Sequence, residues 1–77
     1  MTKGTPEDLD RKIGALVRAR RYKVEMGQPE LAEFLGVTVP AVQKYETGKT
    51  PLTLVKLVAI AHALKCSTLD LIPKGAR

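Results

Sequence analysis

The sequence contains few of the residues that build catalytic, metal-binding or disulfide-linked sites. Among its 77 residues there is one cysteine, one histidine and no tryptophan. The single Cys66 cannot form an internal disulfide, and one cysteine with one histidine cannot complete a closed metal site. No paired carboxylates, nucleophile with a base, or glycine-rich phosphate loop occurs in the sequence. It therefore predicts neither an enzyme nor a protein with a metal or cofactor, and we expect Cys66 to pack and His62 to face solvent.

Long apolar runs and aromatic residues are also scarce. The longest apolar stretch, near Leu57–Leu64, is interrupted by His62 and is too short to span a bilayer. No charged segment followed by an apolar one opens the chain, so a secretory signal is not expected. These features predict a cytoplasmic protein with no membrane partner. One phenylalanine and two tyrosines offer few rings for stacking on RNA bases, which disfavours RNA as the ligand.

The chain length predicts one small domain. A chain of 77 residues buries only about 60% of the surface that it exposes when unfolded, which leaves little room for an enclosed cleft. Hydrophobic residues make up 44% and charged residues 27%, a composition typical of globular proteins. We expect a single domain over residues 1–77, with its core at about 6–72 and a short flexible tail at each end.

Positive charge is concentrated in one segment. The net charge is +5, and residues 11–23 carry six basic side chains and no acidic one. Such a segment is typical of a solvated helix face, and it is also typical of a patch that binds nucleic acid. Charge alone does not decide between these two interpretations.

Capping residues predict the ends of the first two helices. Thr5 can cap a helix whose first position is Pro6 and whose apolar spacing continues to about Lys23. A short second helix should begin at Gln28 and end at Gly36, which adopts a left-handed conformation without penalty. Its inward side should comprise Leu31, Phe34 and Leu35.

Similar signals predict three further helices. Thr38 can cap a third helix that carries Pro40 in its first turn and ends at Gly48. A fourth should begin between Pro51 and Leu54, with an inward stripe of Leu54, Leu57, Val58, Ala61 and Leu64. The segment "STLD" resembles a short capped turn, and Leu69, Leu71 and Ile72 are available to close the core before Pro73 stops it. No segment alternates as a strand does, so the predicted fold is all-α with five helices.

The second and third helices have the spacing of a helix-turn-helix. Such a motif joins two short helices by a three- or four-residue turn that often contains glycine, and it presents the second helix to the DNA major groove. Ala32 is small enough for the two helices to cross closely, and Gly36 suits the turn. The internal contacts should come from Leu31, Leu35, Val37 and Val42.

The run "GQPELAEFLGVTVPAVQKYETGK" resembles the Cro/lambda-repressor type of helix-turn-helix, also called the XRE family. The resemblance covers roughly residues 9–72 and includes the elements Gln, Glu-Leu-Ala, Leu-Gly-Val-Thr and Tyr-Glu-x-Gly. It implies a lambda-repressor-like domain of five helices that binds operator DNA as a two-fold dimer. It also implies a structural ion pair between Arg21 and Glu46. For the dimer surface it suggests the fifth helix and C-terminal tail, where Leu69 and Ile72 are apolar.

The resemblance also implies which residues contact DNA. Gln28 matches a glutamine that clamps phosphate, at a helix terminus whose free amides suit the same phosphate. Val39, Pro40 and Lys44 fall at base-reading positions, and the loop after Gly48 contacts the backbone. The full expected set is Gln28, Thr38, Val39, Pro40, Ala41, Gln43, Lys44, Lys49 and Thr50.

Several of these roles have alternatives. Lys44 can read guanine or simply contact a phosphate, and Gln28 can be an ordinary polar residue of a first turn. Val39 and Pro40 can touch a thymine methyl group, or they can indicate that specificity comes partly from DNA shape. The Lys49 and Thr50 segment can bind phosphate through amides and side chains, or it can be an exposed turn.

The sequence departs from the family pattern at three positions. Glu25 stands where glycine is usual, Gly27 stands where a serine or threonine cap is usual, and Pro51 comes one residue early. The turn between the first two helices is therefore expected to differ in shape. None of these positions belongs to the expected reading surface.

Two functional hypotheses follow. The first is a sequence-specific regulator of transcription that binds a palindromic operator as a homodimer, most often as a repressor. The second is a DNA-binding antitoxin, or a module of the same fold kept for protein contacts, in which a toxin or other protein is the partner. An antitoxin usually needs a segment that wraps its toxin, and only the short terminal segments "MTKG" and "KGAR" lie outside the predicted helices.

Overall fold

The computed structural model describes residues 5–77. These residues form four α-helices, which we label α1 (Pro6–Lys23), α2 (Gln28–Leu35), α3 (Val39–Thr47) and α4 (Leu54–Ala63). Two short 3-10 helices follow, at Thr68–Leu71 and Lys74–Ala76. Residues 5–77 contain no β-strand, so the predicted all-α class is confirmed.

The segment predicted as a short capped turn and counted as the fifth helix forms a capped 3-10 helix and not an α-helix. Ser67 caps this turn through a 3.2 Å hydrogen bond from the Leu69 amide, and Asp70 accepts from the Ser67 amide at 3.0 Å. Pro73 follows the turn closely, and the residue before a proline is disfavoured in the helical conformation. Between the cap Ser67 and Ile72, the residue before the proline, only four residues remain, and a stretch of that length commonly adopts 3-10 geometry.

The predicted ends of the first three helices are confirmed. Thr5 and Thr38 accept hydrogen bonds from backbone amides three residues ahead, at 3.1 and 3.2 Å. Gly36 and Gly48 end α2 and α3 in the left-handed conformation, with φ of 70° and 79°. Both conformations are available to glycine without the steric cost of a Cβ atom.

The core lies where the four helices meet. α1 packs mainly against α3, while α2 packs against both α3 and α4, and the first 3-10 helix covers α4 and α1. The buried apolar side chains are Val17, Leu31, Ala32, Val42, Leu57, Ile60, Ala61, Ala63, Leu64 and Leu71. α3 is thus held between α1 and α2, which leaves its opposite side free.

Four residues that were expected to pack inward are exposed. Phe34 is 56% exposed, Leu54 is 70% exposed, Val58 is 49% exposed and Leu69 is 55% exposed. Leu57, Ala61 and Leu64 of the predicted stripe are buried as expected, and Ile60 is buried with them. The prediction was wrong for Leu54 and Val58, because α2 and the first 3-10 helix, which pack on α4, leave these two side chains uncovered. The ring of Phe34 stacks on His62 at a centroid distance of 6.4 Å, and His62 is exposed as expected.

The turn between α1 and α2 contains a strained residue. Glu25 has a φ of 57°, a conformation that L-amino acids with a Cβ rarely adopt. Glutamate therefore takes the left-handed conformation that suits glycine, the residue usual at this position. After α4, Lys65 adopts a similar φ of 58°, and Arg20 donates to the Leu64 and Lys65 carbonyls at 3.2 and 2.9 Å.

Of the two terminal tails expected from the sequence, the structure describes only the C-terminal one. The expected N-terminal tail, residues 1–4, lies outside the described residues. At the other end, the 3-10 helix Lys74–Ala76 lies beside the start of α1, where Pro6, Leu9 and Pro73 help to line a groove of about 410 Å³. Cys66 is half-buried against the core as expected, and burial raises the pKa of its thiol.

Candidate nucleic-acid interface

α3 is fixed against α1 by direct backbone contact. Gly14 lies so close to α3 that a Cβ atom at this position would be 2.4 Å from the Tyr45 carbonyl oxygen and 2.6 Å from that of Glu46. Real Cβ atoms do not approach backbone oxygens so closely, so the crossing requires glycine. The inward side of α3 is closed by the buried side chains of Val42 and Glu46.

A buried ion pair also joins α1 to α3. Arg21 donates from Nε to Oε2 of Glu46 at 2.6 Å and from a terminal nitrogen to Oε1 at 3.0 Å. The two side chains are 6% and 2% exposed. Arg21 also donates to the Met26 carbonyl at 3.0 Å, so its guanidinium has partners on both sides. The hydrogen bond and charge of Glu46 raise the pKa of Arg21, while burial alone would lower it.

The same carboxylate positions two glutamine side chains. The amide nitrogen of Gln28 donates to Oε1 of Glu46 at 3.0 Å, and the amide oxygen of Gln28 accepts from Gln43 at 3.3 Å. Gln28 begins α2 and Gln43 lies on the free side of α3, so this chain of bonds connects the two helices of the motif. The partly exposed Gln28 is therefore oriented by a buried group.

A concave surface of about 430 Å³ lies along the free side of α3. It is lined by Arg18, Gln28, Pro40, Gln43, Lys44, Glu46, Thr47 and Lys49. Arg18, Lys44 and Lys49 provide three cationic groups, and the one carboxylate of this lining, Glu46, is paired with Arg21. The concave surface thus combines uncompensated positive charge with two amide side chains, groups suited to phosphate oxygens and base edges.

Five of the nine residues expected to contact DNA line this concave surface, namely Gln28, Pro40, Gln43, Lys44 and Lys49. The other four lie beside it. Thr38 uses its hydroxyl to cap α3, and Val39 is half-buried against the core. Ala41 and Thr50 are also half-buried.

One detail of the expected loop contacts was wrong. The backbone amides of Lys49 and Thr50 do not point to an external acceptor, because both donate to the Lys44 carbonyl, at 2.9 and 3.3 Å. They satisfy the last turn of α3 in the way that a left-handed glycine, here Gly48, allows. The Lys49 side chain is exposed and can still reach a phosphate.

The beginning of α2 faces the same region without a side-chain cap. Among the four α-helices of residues 5–77, the other three have a threonine cap that accepts a backbone amide. Gly27 has no side chain, and Glu30 instead accepts the amide of Gly27 itself at 3.3 Å. The first-turn amides of α2 thus lack the acceptor that a serine or threonine would supply, and they suit an external anion.

The sequence-based reasoning missed two residues of the concave surface, Arg18 and Thr47. The Thr47 hydroxyl donates to the Gln43 carbonyl at 3.0 Å, so the orientation of this side chain is fixed by a bond within α3. Arg18 belongs to the basic segment 11–23, which signalled nucleic acid but did not single out any one of its members.

The described part of the chain offers neither a metal site nor a membrane-spanning helix. Across residues 5–77, no group of three or more His, Cys, Asp or Glu side chains is arranged to hold a metal ion. Within that same range, every helix is too short or too polar to cross a membrane.

Comparison with known proteins supports the resemblance. A family model described as helix-turn-helix matches residues 17–71. The chain belongs to the XRE-type helix-turn-helix family. Several relatives that match this chain are named HTH-type transcriptional regulators.

Relatives within the helix-turn-helix family differ in length. An uncharacterized HTH-type transcriptional regulator of Sinorhizobium fredii, y4wC, is 39% identical over 83% of this chain and 45% of its own. A second from that organism, y4mF, is 36% identical over 95% of this chain and 90% of its own. Repressor protein C2 of Salmonella phage P22 is 35% identical over 82% of this chain and 29% of its own. The chain thus spans less than half the length of several curated relatives it matches.

Solved structures share the helix-turn-helix fold. The restriction-modification controller protein C.AhdI from Aeromonas hydrophila matches with a TM-score of 0.76 and 27% identity, over 80% of this chain and 94% of that one. Hydroxypropylphosphonic acid epoxidase from S. wedmorenis matches with a TM-score of 0.79 and 36% identity. That match covers 84% of this chain but only 35% of the epoxidase, so it concerns a part of that enzyme.

Proposed function

We propose that residues 6–72 act as one DNA-binding domain that recognises a palindromic operator as a homodimer and represses transcription. The observation that carries the proposal is the concave surface, where three uncompensated cations and two oriented glutamines lie along the free side of α3. Lysine and glutamine are the side chains that pair with guanine and adenine in the major groove. Repression is the role named for the phage P22 relative, which supports that part of the proposal.

In this proposal the residues of the concave surface have different tasks. Gln28 and the first-turn amides of α2 hold one phosphate, and Lys49 contacts another. Lys44 and Gln43 read base edges, and the exposed ring of Pro40 touches a thymine methyl group. Val39 packs on the core and shapes the surface from behind, so thymine selection rests on Pro40.

A dimer would place two copies of α3 in successive major grooves, about 34 Å apart along the duplex. The exposed apolar Leu69, 55% accessible in the first 3-10 helix, supports a dimer contact in that region. Ile72 is half-buried and packs on the core, so Leu69 is the main candidate. Sedimentation of the protein with and without operator DNA would measure the stoichiometry.

Selection of bound duplexes from a random pool tests the proposal directly. Wild-type protein should enrich one palindromic sequence. The Lys44→Ala variant should lose preference at one base pair per half-site, at a cost of about 1–3 kcal/mol. The Lys49→Ala variant should bind all sequences more weakly and reduce the salt dependence of affinity.

The matched control is Lys74→Ala, which removes an exposed lysine that does not line the concave surface. It should leave both sequence preference and affinity close to those of wild type. If wild-type protein enriches no duplex at moderate salt, the proposed function is wrong. If Lys44→Ala and Lys49→Ala weaken all sequences alike, base reading by Lys44 is wrong.

The alternative of a protein-interaction module is favoured by one observation. Phe34, Val55 and Val58 are exposed apolar side chains, and the last two share a face of α4 with His62, on which Phe34 stacks. A toxin or other protein partner of this apolar surface would bind with no dependence on Lys44. Absence of duplex binding by a folded, monodisperse protein would favour this alternative.

A further inference from the structure

α1 contains four arginines, and three of them are already satisfied within the protein. Arg11 is paired with Asp8, Arg20 donates to the carbonyls at the end of α4, and Arg21 is paired with Glu46. Within residues 5–77, Arg18 has no carboxylate or carbonyl partner. Its one hydrogen bond there runs from Nε to the hydroxyl of Tyr22, at 3.1 Å.

Tyr22 holds this arginine in a defined position. Its ring lies beneath the Arg18 guanidinium, whose central carbon is 5.4 Å from the ring centroid. The other neighbour of the ring is Arg21, at 4.8 Å, which is itself fixed by the buried Glu46. Cation–π contacts of this kind orient a guanidinium plane without neutralising its charge. The hydrogen bond and charge of Arg18 also lower the pKa of the Tyr22 hydroxyl.

The position of Arg18 is on the concave surface, together with Gln28, Lys44 and Lys49. Because the Tyr22 hydroxyl occupies Nε, both terminal nitrogens of Arg18 are available to an external acceptor. Two parallel N–H groups match two oxygens of one phosphate, which is the geometry that distinguishes arginine from lysine in phosphate recognition.

We infer that Arg18 is a phosphate ligand of the DNA complex and that Tyr22 is its positioning residue. The inference rests on the proposed function and extends the interface from the helix-turn-helix onto α1. The ligand is a backbone phosphate, so Arg18 contributes to the affinity for every duplex and not to sequence preference. Tyr22 acts through Arg18 and touches no DNA itself.

The test measures duplex affinity against salt concentration for a set of full-length variants. Arg18→Gln removes the charge while keeping a long helix-forming side chain. It should reduce the slope of log affinity against log salt by about 0.9, the value for one phosphate contact on B-DNA. Operator and random duplexes should be weakened by the same factor. Arg18→Lys should retain the slope and lose affinity, because lysine is not held by the Tyr22 hydroxyl.

The role of Tyr22 is tested by Tyr22→Phe, which keeps the ring and removes the hydroxyl. It should lower affinity several-fold in the wild-type background and have no effect in the Arg18→Gln background. Residues that act as a unit show such non-additivity, whereas a merely structural role for Tyr22 would weaken both backgrounds equally. That equal loss would overturn the positioning role.

The matched control is Lys23→Gln, which removes an exposed cation of the same helix that does not line the concave surface. If Arg18→Gln changes the salt slope no more than Lys23→Gln does, the inference is wrong while the proposed function stands. If wild-type protein binds no duplex, the proposed function and this inference both fail.

Discussion

Removing one partner of the buried Arg21–Glu46 pair should destabilise the fold far more than removing both. In the Arg21→Met and Glu46→Leu variants, a buried charged group loses the partner that lies 2.6 Å away. Breaking a buried pair in this way costs about 3–5 kcal/mol. An arginine that has lost its carboxylate does not escape this penalty by losing its proton, since its guanidinium stays charged in proteins.

The size of the effect follows from the length of the chain. At about 0.05–0.15 kcal/mol per residue, 77 residues give a free energy of unfolding of about 4–12 kcal/mol. A loss of 3–5 kcal/mol is therefore a large share of it. For a domain of this size each kcal/mol lowers the melting temperature by about 4–8 °C, so each single variant should melt at least about 12 °C below wild type.

The Arg21→Met/Glu46→Leu double variant should behave differently. It replaces two buried charges with apolar side chains, and such replacements are often neutral or stabilising. Two hydrogen bonds are lost with the pair, because the Met26 carbonyl no longer receives its 3.0 Å bond and the Gln28 amide no longer donates to Glu46 at 3.0 Å. At about 1 kcal/mol for each of these bonds, we expect the double variant to lie within about 2 kcal/mol of wild type.

Urea unfolding followed by circular dichroism measures all four proteins of this cycle. The reasoning is refuted if each single variant loses less than about 1 kcal/mol, the range of exposed ion pairs. It is equally refuted if the two single penalties simply add in the double variant. Duplex binding by the folded double variant gives a second readout. Gln28 has then lost its contact with Glu46, so affinity should fall although stability does not.

Two further substitutions test the backbone of the fold. Gly14→Ala should destabilise by about 1–3 kcal/mol or more and weaken DNA binding, because the new Cβ meets the Tyr45 carbonyl at 2.4 Å. Its control, Gly75→Ala, meets nothing within 4 Å and should be neutral in the same urea titration. Glu25→Gly should stabilise by up to about 1 kcal/mol, since it relieves about 1–2 kcal/mol of left-handed strain against the greater chain entropy of glycine. Its control, Glu33→Gly in the middle of α2, should instead cost about 1 kcal/mol, and a loss for both would contradict the strain at position 25.

The helix boundaries could be predicted because their causes are local. A threonine side chain that caps a helix bonds to an amide three residues away, and a glycine that ends one needs only its own left-handed conformation. Both kinds of signal are contained in a few consecutive residues. The short capped turn predicted before Pro73 is present, but its capping signal begins an α-helix and a 3-10 helix alike, so the count of five helices could not be decided from it.

Exposure could not be predicted equally well, because it depends on which neighbour covers each face. Periodicity placed Leu54, Val58 and Phe34 on apolar stripes, yet these three side chains are exposed while Leu31 and Ala32 of α2 and Leu57 and Ala61 of α4 are buried. A stripe read from one helix has an uncertainty of about one residue in its direction, roughly 100° of rotation. That is enough to exchange a buried position for an exposed one at the edge of the stripe.

The candidate interface shows the same division between local and tertiary information. The residues of α3 were identified by the family resemblance, because the family motif is a run of consecutive residues that can be matched position by position. Arg18 lies outside that motif and in the sequence is one of six similar basic residues. It differs from the others through contacts with distant partners, since Glu46 satisfies Arg21 and the end of α4 satisfies Arg20. Arg18 is therefore distinguished only in the folded protein, where the other three arginines of α1 have carboxylate or carbonyl partners.

The packing that stabilises α3 and the exposure of its free side have the same origin. Gly14 lets α1 approach so closely that one side of α3 is fully covered, and the charge of Glu46 on that side is neutralised by Arg21. Nothing on the covered side is left to attract a ligand. The cations of the concave surface are then not opposed by an unpaired carboxylate. Because Arg21 neutralises its charge, Glu46 can orient Gln28 without repelling a phosphate bound beside it. In the proposed DNA complex the ion pair therefore has two contributions: it neutralises the charge of Glu46, and it fixes the position of α3.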